Sequence, residues 1–125
     1  MKEAISSKEA PAAIGPYSQA VRAAGCLFLS GQIPLDPRSG QMIAGDITAQ
    51  TEQVMKNLAA VLSAAGASFD DVARTTIYVV DLTQYSKVND VYARFFRPPY
   101  PARSTVQVTA LPRGALVEID VIATL

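Results

Sequence analysis

Two charged residues stand where chemistry, more than packing, would place them. Arg103 follows Pro98-Pro-Tyr-Pro101 at the point where a proline-rich loop hands over to a strand, and Glu118 interrupts the apolar run Leu116 to Ala123. A guanidinium offers a planar fork that meets a carboxylate with two parallel hydrogen bonds. A carboxylate beside an electrophilic carbon can hold a water and take its proton. Plainer readings stand beside these: Arg103 as an exposed edge-strand residue, and Glu118 on the solvent face of an alternating strand, as Asp120 two residues later also suggests. Tyr17 follows Gly15-Pro16, so its phenol is either aimed into a cleft by a loop of restricted shape or packed as an aromatic with a satisfied hydroxyl. Ser30-Gly31 closes an apolar strand, where glycine marks either close approach of a ligand or a bulge. Asn89 lies four residues after Tyr85 and seven before Phe96, inside a helical apolar stripe where a polar group needs a partner, either backbone or ligand.

Composition narrows what these residues can do. The chain has 125 residues, no histidine and one cysteine, Cys26. Histidine-based zinc sets, Ser-His-Asp triads and Cys-His dyads are therefore excluded, as is an internal disulfide. Cys26, in an apolar strand, reads as a small hydrophobe. Eleven Lys+Arg balance eleven Asp+Glu. Without a basic field, nucleic acid and membrane surfaces are disfavoured as partners. The opening Met1-Lys2-Glu3-Ala4-Ile5 lacks the apolar core of a signal peptide, and no apolar stretch approaches a membrane span, so a cytoplasmic location is expected.

The elements that must hold these residues follow from hydrophobic period. Half the residues are apolar and no repeat or linker divides them, so one domain is expected over residues 1–125. Ser18 to Ala23 and Gly25 to Ser30 read as a hairpin, and Pro34 to Gly40 as a turn. From Asp46 the period becomes helical, with Val54, Met55, Leu58, Val61 and Leu62 on one face, Asp46 as cap and Gly66 as terminator. Val72 to Leu82 is a strand by its β-branched content, and Thr83 would cap a second helix carrying Tyr85, Val88, Tyr92, Phe95 and Phe96 before Pro98 stops it. Ser104 to Ala110 and Leu116 to Thr124 alternate around Leu111-Pro112-Arg113-Gly114 and read as a closing hairpin. The result is an α+β domain of about six strands with two helices on one sheet face. The other face, carrying part of Leu27, Leu29, Ile77, Val79, Val106, Val108, Ile119 and Val121, would expose an apolar patch that calls for an oligomer.

Several stretches closely resemble one family: Pro11-Ala-Ala-Ile-Gly-Pro-Tyr-Ser-Gln-Ala20, Ser30-Gly-Gln-Ile-Pro34 with Asp36-Pro37 and Gly40, Val88-Asn89-Asp-Val-Tyr92, Phe95-Phe96, Pro101-Ala-Arg-Ser104, and Leu111-Pro112 followed by Val117-Glu-Ile119. They match the reactive intermediate deaminases, the Rid or YjgF family, essentially from end to end. The resemblance implies a chorismate-mutase-like fold with a mixed, mostly antiparallel sheet, a homotrimer, and ligand clefts between subunits. It implies hydrolysis of 2-imino acids such as 2-iminopropanoate and 2-iminobutanoate to 2-keto acids and ammonia, with no metal or organic cofactor. On the family's motifs Arg103 would bind the substrate carboxylate and Glu118 would direct water, with Tyr17 as the third catalytic residue. Ser30, Gly31, Asn89 and Thr105 would line the cleft. Thr105 departs from many relatives, which carry cysteine there, and so bears on substrate preference.

Two further functions compete with imine hydrolysis: a trimer that binds or senses small carboxylates without turnover, and an RNA-cleaving or chaperone-like protein. The hairpin register supplies one more expectation. Pairing Glu118 near Val108 sets it about five residues from Arg103, roughly 17 Å at strand rise. The two would then meet only across a subunit boundary.

Overall fold

The computed structural model describes residues 1–125. Six strands, β1 (Glu3–Ile5), β2 (Ala20–Ala23), β3 (Cys26–Gln32), β4 (Val72–Val79), β5 (Ala102–Gln107) and β6 (Val117–Thr124), form one sheet in the order β1-β2-β3-β6-β4-β5. Every pair is antiparallel except β4–β5. Two helices, α1 (Ile47–Ala64) and α2 (Tyr85–Tyr92), cover one face, giving the expected α+β architecture. β2 and β3 form the expected hairpin, turned by Ala24 and Gly25, both at positive φ. β1, a short strand absent from the sequence reading, pairs with β2 at the sheet edge.

α1 begins and ends as its sequence dictates. The Asp46 carboxylate accepts from the Ala49 N–H, and Val54, Met55, Leu58, Val61 and Leu62 are fully buried against the sheet. Gly66 takes φ +76°, its N–H donating to Ser63 and that of Ala67 to Leu62, a closure that a side chain there would strain. The start of α2 differs from expectation. Thr83 does not cap it; Asp81 accepts from the Thr83 N–H and hydroxyl at a 3-10 turn, and β4 ends at Val79. α2 itself ends at Tyr92, after which Phe95 and Phe96 leave the helix and pack edge-on against Phe69.

The closing hairpin is not formed. β5 pairs in parallel with β4, reached through the crossover that contains α2, and β6 lies between β3 and β4. Alternation identified both strands, but a period of two carries no information about the neighbour. The chain instead travels from edge strand β5 across β4, through Leu111 to Leu116, before re-entering the sheet. Glu118 consequently pairs with Tyr78 and not near Val108, while Arg103 pairs with Thr75.

This pairing also corrects the open face. Leu27, Leu29, Ile77, Val79, Ile119 and Val121 are all buried in the helix-side core. The opposite face presents Val21, Phe28, Ile122 and Val106 interleaved with Arg74, Tyr78, Glu118 and Asp120, with Phe28 44% and Val106 41% exposed. It is more polar than the sequence reading held.

Three buried amide side chains tie loops to this frame. Gln19 accepts from the Ser7 N–H at 2.6 Å and donates to the Ser7 and Pro11 carbonyls at 3.1 and 2.7 Å. Asn57 of α1 donates to the Leu35 carbonyl at 3.0 Å, and Gln50 accepts from the Leu116 N–H at 2.9 Å. Each replaces ladder bonds that a loop cannot make for itself. Gln19→Ala is expected to lower unfolding free energy by roughly 2 to 3 kcal/mol, because it strands several buried partners. Urea denaturation measures this, and a loss under about 0.5 kcal/mol would show that water replaces the amide.

Candidate functional site

Glu118 lies on the open face of β6, between Val117 and Ile119, which point into the core. Across from it β3 carries an extra residue: Leu29 pairs with Val121 but Gln32 pairs with Ile119, so Ser30 and Gly31 form a bulge. The strand runs on through the bulge to Gln32. Gly31 leaves room there for a neighbour. A Cβ on it would stand 2.1 Å from Glu118 Oε2, so a side chain there would push the carboxylate from its position. Of the two sequence readings of this glycine the bulge is the one observed, and it is the Glu118 side chain that lies against the glycine.

The Glu118 carboxylate makes no salt bridge or side-chain hydrogen bond. Burial, followed by the charge of Asp120 on the same face, pushes its pKa above the ordinary value of 4.5. Asp120 accepts from the Tyr78 hydroxyl at 3.0 Å, which keeps it in place as a fixed negative neighbour.

Above Glu118 opens a cavity of about 490 Å³, lined by Tyr17, Ser30, Gly31, Ile33, Arg113 and Glu118 among others. Four of the residues singled out from the sequence thus meet: Tyr17, Ser30, Gly31 and Glu118. Tyr17 is 52% exposed at the end of the loop that Gln19 anchors, its N–H donating to the Gly15 carbonyl. Ser30 donates its hydroxyl to the Ser18 carbonyl at 2.6 Å and its N–H to the Gln19 carbonyl at 2.9 Å. With its proton committed to Ser18, the hydroxyl of this lining residue has only acceptor capacity left. Arg113, at φ +58°, folds its guanidinium onto the Gly40 carbonyl and the Gln41 side chain and closes one wall.

Arg103 is elsewhere. By its pairing with buried Thr75 it lies on the helix side of edge strand β5, its guanidinium carbon 4.9 Å from the ring centre of Tyr92 and 5.4 Å from that of Tyr85. Nη2 donates to the Tyr85 hydroxyl at 2.6 Å. Tyr92 is fixed from beneath by a buried 2.8 Å hydrogen bond with Thr75. A second cavity, about 300 Å³, is lined by Asn89, Tyr92, Ala93, Tyr100, Pro101 and Arg103. Asn89, half-buried on α2, thus stands with Arg103. Thr105, two residues along β5, is outside that lining, and its hydroxyl oxygen is buried without a hydrogen-bond partner.

The residues therefore fall into two groups on opposite faces of the sheet. Arg103 aligns through Thr75 with Val121, three residues from Glu118 and two strands away, a Cα separation of roughly 14 Å. This replaces the hairpin estimate, and the intervening sheet adds a barrier the sequence did not reveal. Sequence reasoning also missed Gln19, Arg113 and the tyrosine pair around Arg103. Tyr85 and Tyr92, seven residues apart on α2, carried a signal, but that spacing equally describes a core stripe.

A family profile described as Endoribonuclease L-PSP matches residues 7–125. The chain belongs to that family, the Rid proteins. Among Rid relatives, Protein DfrA of Myxococcus xanthus is 57% identical over 124 residues, covering 98% of this chain and 95% of that protein. A 2-iminobutanoate/2-iminopropanoate deaminase of Mus musculus is 46% identical over 123 residues, covering 98% of this chain and 91% of that one. The crystal structure of YyfA from Yersinia pestis, described as a Rid-family protein of unknown function, superposes with a TM-score of 0.97 at 52% identity and full coverage of both chains. The Rid fold is thus shared in full, whereas the names its members carry differ. No helix is long and apolar enough to cross a membrane.

Proposed function

We propose that this Rid protein hydrolyses small 2-imino acids to 2-keto acids and ammonia, as a homotrimer in the cytoplasm, with each site shared by two neighbouring protomers. The observation that carries the reading is the unpaired, desolvated Glu118 carboxylate at the floor of a cavity. A base so placed acts on a ligand or a water, since it supports nothing in the fold. The Rid relative of Mus musculus, named for this activity, supports the same chemistry.

In the proposed reaction Arg103 of one protomer pairs with the substrate carboxylate, and Glu118 of its neighbour holds water against C2 of the iminium. Glu118 takes a proton as the water oxygen bonds to C2, giving a carbinolamine. The protonated carboxyl passes that proton to the nitrogen. The C–N bond then breaks as the hydroxyl loses its proton to Glu118, which passes it to the departing ammonia, leaving the keto acid and ammonium and restoring the carboxylate. Ser30 can accept a hydrogen bond from the substrate nitrogen. Tyr17 and Asn89 are assigned to the walls of the shared cleft, and Thr105, outside both linings, to the strand beneath Arg103. The direct test is ammonia and pyruvate formation from freshly generated 2-iminopropanoate. No acceleration over the spontaneous rate would leave binding or sensing of small carboxylates as the function. RNA cleavage, the activity in the family description, finds no support in a chain of zero formal net charge with no histidine.

The carboxylate form of Glu118 is the working base, so kcat/KM should fall as pH falls through a pKa above 4.5. Asp120→Asn removes the second cause of that elevation and should move the acid limb to lower pH. An unmoved limb would detach it from Glu118. Stability has the opposite sign. A carboxyl whose pKa is raised on folding loses stability as pH rises from its unfolded to its folded value, and the loss persists above it. Glu118→Gln should therefore abolish turnover without lowering stability at neutral pH, as activity and thermal melts together would reveal.

A further inference from the structure

The Tyr85 hydroxyl has no part in the reaction above, yet it holds one edge of the residue assigned to the carboxylate. It accepts from Arg103 Nη2 at 2.6 Å, while the rings of Tyr85 and Tyr92 stand 5.4 and 4.9 Å from the guanidinium carbon. Tyr85 is not among the residues lining the 300 Å³ cavity, whereas Arg103, Asn89 and Tyr92 are. Arg103 is thus gripped on one side and open on the other. A long side chain at the start of an edge strand has many rotamers, and binding a carboxylate with two parallel hydrogen bonds requires one of them. Tyr92 cannot select it alone. Its hydroxyl is committed to Thr75, so it offers Arg103 only a ring face, which attracts a cation without fixing its rotation in the plane. The Tyr85 oxygen supplies the missing directional contact. The Asn89 side chain one turn along α2, and then the Arg103 charge, lower the pKa of this phenol, in keeping with an oxygen that is drawn upon as an acceptor.

We propose that Tyr85 is a positioning residue for Arg103: its hydroxyl pins one edge of the guanidinium so that the other is presented, already oriented, to a carboxylate in the cavity. The proposal rests on Arg103 binding the substrate carboxylate, and goes beyond it in assigning the orientation to Tyr85.

Tyr85 is 40% exposed, so Tyr85→Phe removes the oxygen while keeping the ring and the fold. In the assembled protein this variant should raise the pyruvate Kd and the KM for 2-iminopropanoate about five- to tenfold and change kcat less than twofold, with an unaltered thermal melt. A spectroscopic signature accompanies it. Tyrosinate absorbance near 295 nm should lose a component that titrates below the ordinary tyrosine value in Tyr85→Phe. In the wild type, saturating pyruvate should raise that component's midpoint, because the bound carboxylate offsets the Arg103 charge. Unchanged pyruvate affinity in Tyr85→Phe, a fall in kcat with KM unaltered, or a midpoint indifferent to pyruvate would each overturn the assignment. If the wild type binds pyruvate through Arg103 but turns over no imine, the hydrolase reading fails and the Tyr85 comparison still decides its own question. If Arg103→Ala binds pyruvate as tightly as wild type, the carboxylate role fails and the Tyr85 role falls with it.

Discussion

Mixing Arg103→Ala and Glu118→Gln protomers one to one is expected to restore about a quarter of the wild-type turnover of 2-iminopropanoate, although each variant alone is inactive. Within a chain the two side chains lie on opposite faces of the sheet, Arg103 beneath α2 and Glu118 on the open face beside Gly31. No rotamer carries both to one three-carbon substrate. If protomers meet head to tail in a ring, each interface takes Arg103 from one chain and Glu118 from the next. Random assembly makes both intact in one interface of four, the product of two independent halves. Mass spectrometry verifies that mixed assemblies formed. Mixed assemblies without activity would refute the shared site.

Arg103→Lys is expected to lower kcat/KM by roughly 30- to 1000-fold, the counterpart of about 2 to 4 kcal/mol of lost transition-state binding. The charge survives the change, and an ammonium can still lie over the Tyr92 ring. What disappears is the planar fork: lysine is a point donor and cannot form two parallel bonds to a carboxylate. Steady-state kinetics on freshly generated imine measures the loss. A lysine variant within threefold of wild type would remove Arg103 from carboxylate recognition.

Elements closed by local signals were legible before any coordinates. Asp46 and Gly66 bracket α1, and Ala24-Gly25 turns the first hairpin, because capping and turn chemistry act over a few residues. Candidate residues were legible where a type broke a pattern, as at Glu118 and Gly31. Strand partners were not. β5 and β6 lie close in sequence and both alternate, which favoured a hairpin. Their separation by β4 depends on α2 packing against α1, a long-range choice invisible to period or propensity. For the same reason the division of the site between two faces stayed hidden: face parity is meaningful only once the register is known. Tyr85 and Gln19 were unreadable as site residues because a tyrosine on an apolar stripe and a glutamine beside a strand have ordinary structural uses.

The three amide latches have a consequence for how the protein comes apart. Gln19, Asn57 and Gln50 each hold a different loop, two of them the walls around Tyr17 and Ile33, through contacts outside the strand ladders. Such loops open without help from one another and without melting the sheet. The backbone amides of Ser7 and Leu116, each donating to a latch oxygen, should exchange with deuterium sooner than ladder amides such as those of β6. Warming would then blur the mouth of the cavity while the core is still intact, so activity fades over a range of temperature in which circular dichroism sees a native protein.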